Sequence, residues 1–194
     1  MKFKVFKFKK VTSTNTVAMK LIKKEKEEIG LIYASRQTKG KGRYGKKWIS
    51  KEGNLFASIF FHLQDKHPSF KEFVIINPII ISDIIKNYCK AEKISYKWPN
   101  DLFVRGKKIC GILQEIITLK NKKFLIIGIG INILSNPKIK TKYEATNILK
   151  ECKKKPSIKR IVKEIIKSYE KFFINLNTYK YKNFEEKAKS MILN

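Results

Sequence analysis

The feature that most constrains the fold of this 194-residue chain is the order of its apolar segments. Strand-length segments surround one long apolar segment in the middle of the chain, and a helical pattern ends it. Strands are predicted at 2–8, 31–35, 55–61, 94–98, 102–104, 109–117 and 124–133, and helices from caps at 12–15 to about 28, at 73–88, and from 156 onward. Strands and helices do not alternate, so this order predicts an α+β fold with a largely antiparallel sheet.

Two residues are expected to mark the end of one helix and the start or a kink of another. Gly30 lies where a stop to the first helix is expected, because glycine is common just beyond helix ends. Pro78 is predicted near the start of the second helix, in its first turn or at a kink, because proline lacks the N–H that a helix interior requires.

The composition predicts a soluble cytoplasmic protein. Hydrophobic residues make up 43% of the chain, enough for a core despite a net charge of +28. No apolar run reaches the roughly 20 residues that span a bilayer, and the lysine-interrupted N-terminus does not resemble a signal peptide. Cys89, Cys110 and Cys152 are widely spaced, which predicts free thiols in a reducing compartment rather than disulfides or a zinc site.

The positive charge by itself suggests nucleic-acid binding. The excess is spread over most of the chain, however, and only four of the 44 basic residues are arginine. Proteins that read DNA sequence rely on arginine, whose planar group pairs with two acceptors at once. We therefore predict a lysine-rich surface without specific DNA binding; a small ligand that carries phosphate is compatible with either interpretation.

The segment GKGRYG at 40–45 is a candidate anion-binding loop. Glycine lets a backbone approach a ligand closely, and successive free N–H groups beside a cation form a cradle for an anion. The spacing matches neither a P-loop nor a dinucleotide-binding motif. Taken alone, such a loop is more often a flexible basic turn.

A second unusual segment is KWPND at 97–101, which places a tryptophan, a proline and a carboxylate at a strand end. If this segment has no function, it is a capped turn whose tryptophan fills a gap in the core. Lys108 lies seven residues beyond Asp101, where a lysine beside a hairpin turn is normally solvated. Neither motif is specific by itself.

Taken together, the motifs resemble the catalytic domain of biotin protein ligase. The matching segments are STN at 13–15, Gln37, GKGRYG at 40–45, KKW at 46–48, GNL at 53–55, KWPNDL at 97–102, KKICGIL at 107–113, GIGIN at 128–132 and ATNI at 145–148. They cover about residues 10–150 in the expected order and spacing, and as a set they are highly specific.

This resemblance implies the fold of a class II aminoacyl-tRNA synthetase catalytic domain, with a mixed, largely antiparallel sheet flanked by helices, and a two-step reaction. Biotin and ATP give biotinyl-5′-adenylate and pyrophosphate, and a lysine of a biotin carboxyl carrier protein then takes the biotin. The biotin carboxylate is ionised at neutral pH, so the first step needs cations rather than a base. The resemblance assigns Arg43 and Lys108 as those cations. Asp101 is assigned either to orient or deprotonate the acceptor amine or to bind Mg²⁺.

The resemblance also divides the site between two substrates. The residues implied for biotin are Ser13, Thr14, Asn15, Gln37, Gly40, Arg43, Lys108, Gly111 and Leu113. Those implied for ATP are Gly42, Arg43, Trp48, Lys97, Asn100, Lys108 and Asn132. Trp48 is expected to stack under the adenine, at about 1–3 kcal/mol on the scale of base–aromatic stacking, and Asn132 to read it. For Lys97 a phosphate-binding role and a structural role are equally open.

Some members of this family carry parts that this pattern lacks. Bifunctional relatives have an N-terminal helix-turn-helix domain, whereas only about ten residues precede the STN motif here, and many members end in a small SH3-like barrel that is not recognisable in this sequence. We therefore expect a single catalytic domain over 1–194, without gene repression. The sequence leaves open whether it acts as a monomer or a homodimer.

Two other functions remain open. Lipoate–protein ligase has a similar fold and chemistry but a different glycine-rich loop, and it lacks the KWPND and KxxGIL pair. A non-catalytic, lysine-rich nucleic-acid-binding domain would explain the charge but not the turn at 97–101 followed by Lys108 and Gly111. A salt titration distinguishes the nucleic-acid-binding domain from the ligases, because binding to nucleic-acid phosphates weakens steeply as salt is raised.

Overall fold

The computed structural model describes residues 2–89, 93–137 and 143–193. Within these ranges the strands are β1 (Lys4–Val11), β2 (Ile29–Gln37), β3 (Leu55–Leu63), β4 (Ile94–Lys97), β5 (Asp101–Val104), β6 (Lys107–Leu119) and β7 (Lys122–Ile131). The helices are α1 (Thr14–Lys24), α2 (Phe70–Lys86), α3 (Ile148–Cys152), α4 (Ile158–Ile174) and α5 (Tyr181–Ser190).

The strands form one seven-stranded sheet in the order β1-β2-β3-β7-β6-β5-β4. β1 and β2 are parallel, because α1 connects them as a crossover. The other neighbouring pairs are antiparallel. The predicted α+β class with a mixed, largely antiparallel sheet is therefore confirmed.

The two faces of the sheet are covered to different extents. α2, α4 and α5 pack on one face and bury the larger core. On the other face α1 buries a smaller cluster that includes Phe60, Phe124 and Ile126. α1 leaves the rest of this face uncovered beyond its own N-terminus, and the cavity described below lies there. None of the described helices is both long enough and apolar enough to cross a membrane.

α2 begins earlier than predicted, and Pro78 therefore lies at its centre rather than near its start. A capping box sets the start: Ser69 Oγ accepts from Glu72 N at 3.3 Å, and Glu72 Oε2 accepts from Ser69 N at 2.8 Å. A central proline leaves the Val74 carbonyl without its helical donor. The Tyr96 hydroxyl lies 3.3 Å from that oxygen and 2.8 Å from the Pro99 carbonyl, so it links α2 to the turn at 97–101.

The prediction that Gly30 ends the first helix is wrong. α1 ends at Lys24, and Gly30 lies inside β2. A Cβ at Gly30 would lie 2.8 Å from the ring of Phe60 and 2.9 Å from that of Phe6, so the glycine is needed for close packing across the sheet. α3 was not predicted, and the helical tail is divided into α4 and α5.

The prediction of three free thiols is wrong for two of them. Cys89 and Cys152 form a disulfide with their Cα atoms 5.1 Å apart, although 63 residues separate them in sequence. The fold brings the end of α2 beside α3, a contact that spacing along the chain does not reveal. Cys110 is a free cysteine and is buried, and burial raises the pKa of its thiol. The cysteines therefore give no argument for a reducing compartment.

A buried cluster of polar side chains joins α2, α4 and β6 on the face of the sheet that carries the larger core. Tyr169 of α4 donates to Asn77 Oδ1 of α2 at 2.7 Å, and Asn77 Nδ2 donates to Gln114 Oε1 of β6 at 2.8 Å. Tyr169 and Asn77 are fully buried. The cluster fixes α2 and α4 against the strand that carries several site residues.

We expect Tyr169→Phe to lower the free energy of unfolding by about 1–3 kcal/mol, because it leaves the buried Asn77 oxygen without its donor. Urea unfolding followed by circular dichroism measures this change. Tyr44→Phe is the control, since Tyr44 is 85% exposed and should change stability by less than about 0.5 kcal/mol. Equal stabilities for the two variants would show that the cluster contributes nothing.

Candidate active site

A cavity of about 480 Å³ lies on the face of the sheet that α1 leaves uncovered. It is lined by almost all of the predicted site residues: Ser13, Thr14, Asn15, Gln37, Gly42, Arg43, Trp48, Lys97, Asn100, Asp101, Lys108, Gly111, Leu113 and Asn132. Gly40 does not line it. A Cβ at Gly40 would lie 2.5 Å from the Trp48 carbonyl, so the glycine allows the two segments at the base of the loop to pack closely.

Glycines on the central strands form the floor of the cavity. A Cβ at Gly111 would lie 2.6 Å from the Trp48 ring, and one at Gly130 would lie 2.5 Å from it. A Cβ at Gly128 would lie 2.5 Å from Asn15 Oδ1. The glycines of the GIGIN motif therefore make room for an indole and an amide where larger side chains would fill the site.

The glycine loop folds back on itself as a small hairpin. Gly42 N donates to Lys46 O at 2.6 Å, and Trp48 N donates to Gly40 O at 2.9 Å. Tyr44 has a φ of 54°, in the left-handed region. This hairpin places Trp48 over the glycine floor and directs the loop's arginine toward the turn at 97–101.

Arg43 joins the glycine loop to that turn. Its guanidinium donates to Asn100 Oδ1 at 3.2 Å and to the Tyr44 hydroxyl at 2.8 Å. Asn100 is fixed in turn by donation from its Nδ2 to Ile112 O at 3.1 Å. A cation from one motif is thus held by the side-chain amide of another.

A β-bulge brings Lys108 onto the cavity face of the sheet. Leu102 of β5 pairs with Cys110 of β6, but the next residue, Phe103, pairs with Lys108. Ile109 is the extra residue of the bulge, which changes the alternation of side chains along β6. Ile109 and Cys110 are consequently both in the larger core, and Lys108 faces the cavity.

Lys108 forms an ion pair with Asp101 inside the cavity. Nζ and Oδ2 are 2.6 Å apart, and the side chains are 29% and 21% exposed. The lysine nitrogen also lies 5.5 Å from the centre of the Trp48 ring. Asp101 Oδ1 is buried and has no hydrogen-bond partner among the described residues. The pair therefore offers a cation with donors to spare and one unused acceptor.

At the other end of the cavity, uncharged groups line the wall. Ser13, Thr14 and Asn15 at the start of α1 are buried. Gln37 Oε1 accepts from Thr14 N at 2.8 Å, and Gln37 Nε2 donates to Ser50 Oγ at 3.1 Å. These contacts hold the polar side chains in one arrangement around an otherwise apolar pocket.

Asn132 and Lys97 occupy the remaining wall. Asn132 Nδ2 donates to Thr146 O at 3.0 Å, whereas its Oδ1 is buried without a partner among the described residues. This oxygen is free to accept an N–H from a ligand. Lys97 Nζ lies 3.3 Å from the centre of the Tyr143 ring, a cation–π contact that holds the lysine at the cavity edge.

Sequence reasoning missed part of the wall. The residues not predicted are Lys41, Tyr44, Lys46, Lys47, Ile49, Ala57, Trp98, Pro99, Ile112, Gly128, Ile129, Gly130, Pro137, Tyr143 and Ala145. Many of them lie inside the motifs already quoted, which was the signal that could have found them. For Ile49, Ala57, Pro137 and Tyr143 no such signal exists.

The described residues offer little to a protein-bound metal. No group of three or more His, Cys, Asp or Glu side chains that could hold a metal ion occurs within 2–89, 93–137 and 143–193. Asp101 is the only acidic residue among the described lining residues, and one of its oxygens is unpartnered. This arrangement fits Mg²⁺ that takes one carboxylate from the protein and its other ligands from phosphates and water.

With the fold and the cavity described, comparison with known proteins gives the family to which this domain belongs. The sequence profile of the biotin/lipoate A/B protein ligase family matches residues 5–132, more than half of the chain. The chain belongs to this family, as the motifs predicted.

Individual relatives narrow the comparison to biotin ligases. The bifunctional ligase/repressor BirA of Escherichia coli (strain K12) is 32% identical over 125 residues, which are 63% of this chain and 38% of BirA. Biotin–protein ligase 2 of Arabidopsis thaliana is 32% identical over 160 residues, 77% of this chain and 47% of that protein. The chain thus spans about half or less of these curated relatives. The structure of biotin protein ligase from Aquifex aeolicus in complex with biotin and ATP superposes with a TM-score of 0.80 at 29% identity, covering 97% of this chain and 78% of that one.

Proposed function

We propose that the protein activates biotin with ATP to biotinyl-5′-adenylate and transfers biotin to a lysine of a biotin carboxyl carrier protein. The observation that carries this proposal is a single cavity with two different ends. Arg43 and Lys108 lie at one end, and the uncharged groups of Ser13, Thr14 and Asn15 line the other. A molecule with an uncharged polar head and a carboxylate tail matches both ends.

The first step follows from the charges at the cationic end. An ionised carboxylate must approach the anionic α-phosphate of ATP, so stabilising charge and positioning dominate the rate. An ammonium group has three donors; Lys108 can therefore keep its bond to Asp101 and still donate to both reacting groups. Arg43, held by Asn100, supplies the second cation. Trp48 and the free oxygen of Asn132 are the proposed contacts of the adenine.

In the second step, the acceptor amine must be neutral when it attacks the acyl carbon of the adenylate and displaces AMP. Asp101 Oδ1 is the unused acceptor beside Lys108, and we propose that it orients the incoming amine. The same oxygen is the candidate ligand for Mg²⁺, which when bound would neutralise phosphate charge. These two roles of Asp101 belong to different steps and are separable by measuring adenylation and transfer independently.

Lipoate ligation is the second candidate, because the family includes lipoate ligases. The uncharged end of the cavity argues against it. The amide and hydroxyl groups of Asn15, Thr14 and Gln37 pair with a cyclic urea, which has two N–H donors and a carbonyl acceptor, but not with an apolar dithiolane or alkyl chain.

The partners of this domain remain proposals. We propose a biotin carboxyl carrier protein as acceptor and a cytoplasmic location, where ATP is available. A monomer or a homodimer, and the lack of specific DNA binding, stay predictions. Salt titration tests the last one, because binding to DNA phosphates weakens steeply with salt.

Biotin should support pyrophosphate release, whereas lipoate and octanoate should not. The uncharged polar groups at the uncharged end of the cavity cannot form hydrogen bonds with the apolar ends of lipoate and octanoate. The measurement is the initial rate of pyrophosphate release with each acid at the same concentration, with ATP alone as the blank. Release with lipoate or octanoate but not with biotin would reject the proposed substrate.

A further inference from the structure

Glu115 lies on β6 outside the residues that line the cavity, yet it contacts one that does. Its Oε2 accepts from Asn15 Nδ2 at 2.6 Å, across 100 residues of sequence. Asn15 Nδ2 also lies 3.4 Å from Leu113 O. Asn15 is 2% exposed and lines the cavity. A carboxylate behind the wall thus holds an amide that forms the wall.

The donors and acceptors of Asn15 determine what this amide can offer a ligand. An asparagine side chain has two N–H donors and one oxygen with two lone pairs. Both donors are directed at oxygens of β6, those of Glu115 and Leu113. The buried Ser58 hydroxyl donates to Asn15 Oδ1, which leaves one lone pair unused.

The opposite orientation of the amide is excluded by the same neighbours. If the amide were rotated by half a turn, Asn15 Oδ1 would face a carboxylate and a carbonyl, neither of which can donate. In a buried site such a contact between acceptors is costly. The oxygen borders the glycine floor, since a Cβ at Gly128 would lie 2.5 Å from it. Asn15 therefore presents an acceptor to the cavity.

We infer that Glu115 is a positioning residue that fixes Asn15 as a hydrogen-bond acceptor, so that the cavity selects a head group with an N–H donor at this point. The inference rests on the proposed function for the identity of the ligand, a cyclic urea. Glu115 acts through Asn15 and does not itself touch the substrate. It sets specificity by imposing polarity on a side chain that could otherwise donate or accept.

The test compares biotin with an analogue in which the oxygen of a cyclic carbamate replaces one ring N–H. Wild type should use biotin and discriminate strongly against at least one of the two carbamate isomers, because two acceptors would then meet at Asn15. Glu115→Gln keeps the shape but can donate to Asn15, which allows the amide to rotate. We expect this variant to raise the KM for biotin and to lower the biotin-to-carbamate ratio of kcat/KM by about 10- to 100-fold, the scale of one hydrogen bond to a charged group.

A second variant carries two substitutions that exchange the amide and the carboxylate, so that position 15 again presents only acceptors. In Asn15→Asp combined with Glu115→Gln, the glutamine donates and the aspartate again offers only acceptors, so discrimination should return toward the wild-type ratio. Glu144→Gln is the matched control, since Glu144 is exposed and pairs with Lys107; its ratio should equal that of wild type. Thermal unfolding of each variant checks its fold.

The outcomes separate this inference from the proposed function. If wild type releases no pyrophosphate with biotin, the proposed function fails. If wild type is active and Glu115→Gln lowers kcat/KM equally for biotin and the carbamates, leaving their ratio unchanged, the positioning role of Glu115 is overturned while the proposed function stands.

Discussion

Lys108→Ala should slow adenylate formation by about 100- to 1,000-fold, the loss typical of removing one group that stabilises charge in a transition state. The substitution has two effects on the site. It removes a cation at the cationic end. It also removes the ion-pair partner of Asp101, whose Oδ2 lies 2.6 Å from Lys108 Nζ, so that an unneutralised carboxylate faces an anionic nucleotide. Single-turnover formation of the adenylate from biotin and ATP measures the chemical step directly.

Two further variants separate these effects. Lys107→Ala is the positional control, because Lys107 is adjacent, pairs with Glu144 and does not line the cavity; its rate should match wild type. In Lys108→Ala combined with Asp101→Asn, the repulsion is gone and part of the rate should return; a further fall in the rate would instead indicate that Asp101 acts in adenylation as the Mg²⁺ ligand. A wild-type rate in Lys108→Ala would mean that this lysine has no role in adenylation.

Gly130→Ala should lower kcat/KM for ATP by about 10- to 100-fold. Its new Cβ would lie 2.5 Å from the Trp48 ring, so the indole must leave the floor of the cavity. If the indole stacks under the adenine as proposed, the loss corresponds to base–aromatic stacking, about 1–3 kcal/mol. Steady-state kinetics with varied ATP at saturating biotin give the value.

A double-mutant cycle with Trp48→Ala identifies the cause. Once the indole is absent, the methyl group at position 130 has nothing to displace, and adding Gly130→Ala to Trp48→Ala should cost little more. Additive losses would indicate that the glycine contributes through the backbone of β7 rather than through the tryptophan.

Much of the site could be predicted because its residues lie in short motifs. The segments at 40–45 and 97–101 combine residue types that few simple turns require, and their order along the chain indicated the family before any contact was known. The residues between motifs were harder to predict. Tyr143 reaches the cavity edge beside Lys97, and Glu115 holds Asn15, but neither carries a local pattern that separates it from a surface residue.

The fold was predictable to a similar extent. The spacing of apolar residues indicated most strands and helices within a few positions, because burial of one face imposes a period on the sequence. Gly30 and Pro78 were misplaced, since each has a role that depends on a distant partner. Gly30 packs against aromatic rings, and the carbonyl that Pro78 leaves free lies near Tyr96.

The sequence by itself determined the class of fold, the family and the chemical types of the groups at the site, because these follow from local periodicity and from motifs. Only the tertiary structure decided how the groups are paired. A bulge in β6 turns Lys108 toward Asp101, three glycines leave space for Trp48 and Asn15, and the end of α2 meets α3 at a disulfide. Such pairings depend on strand register and on packing between elements far apart in sequence, and a change of register by one residue would place Lys108 on the opposite face of the sheet.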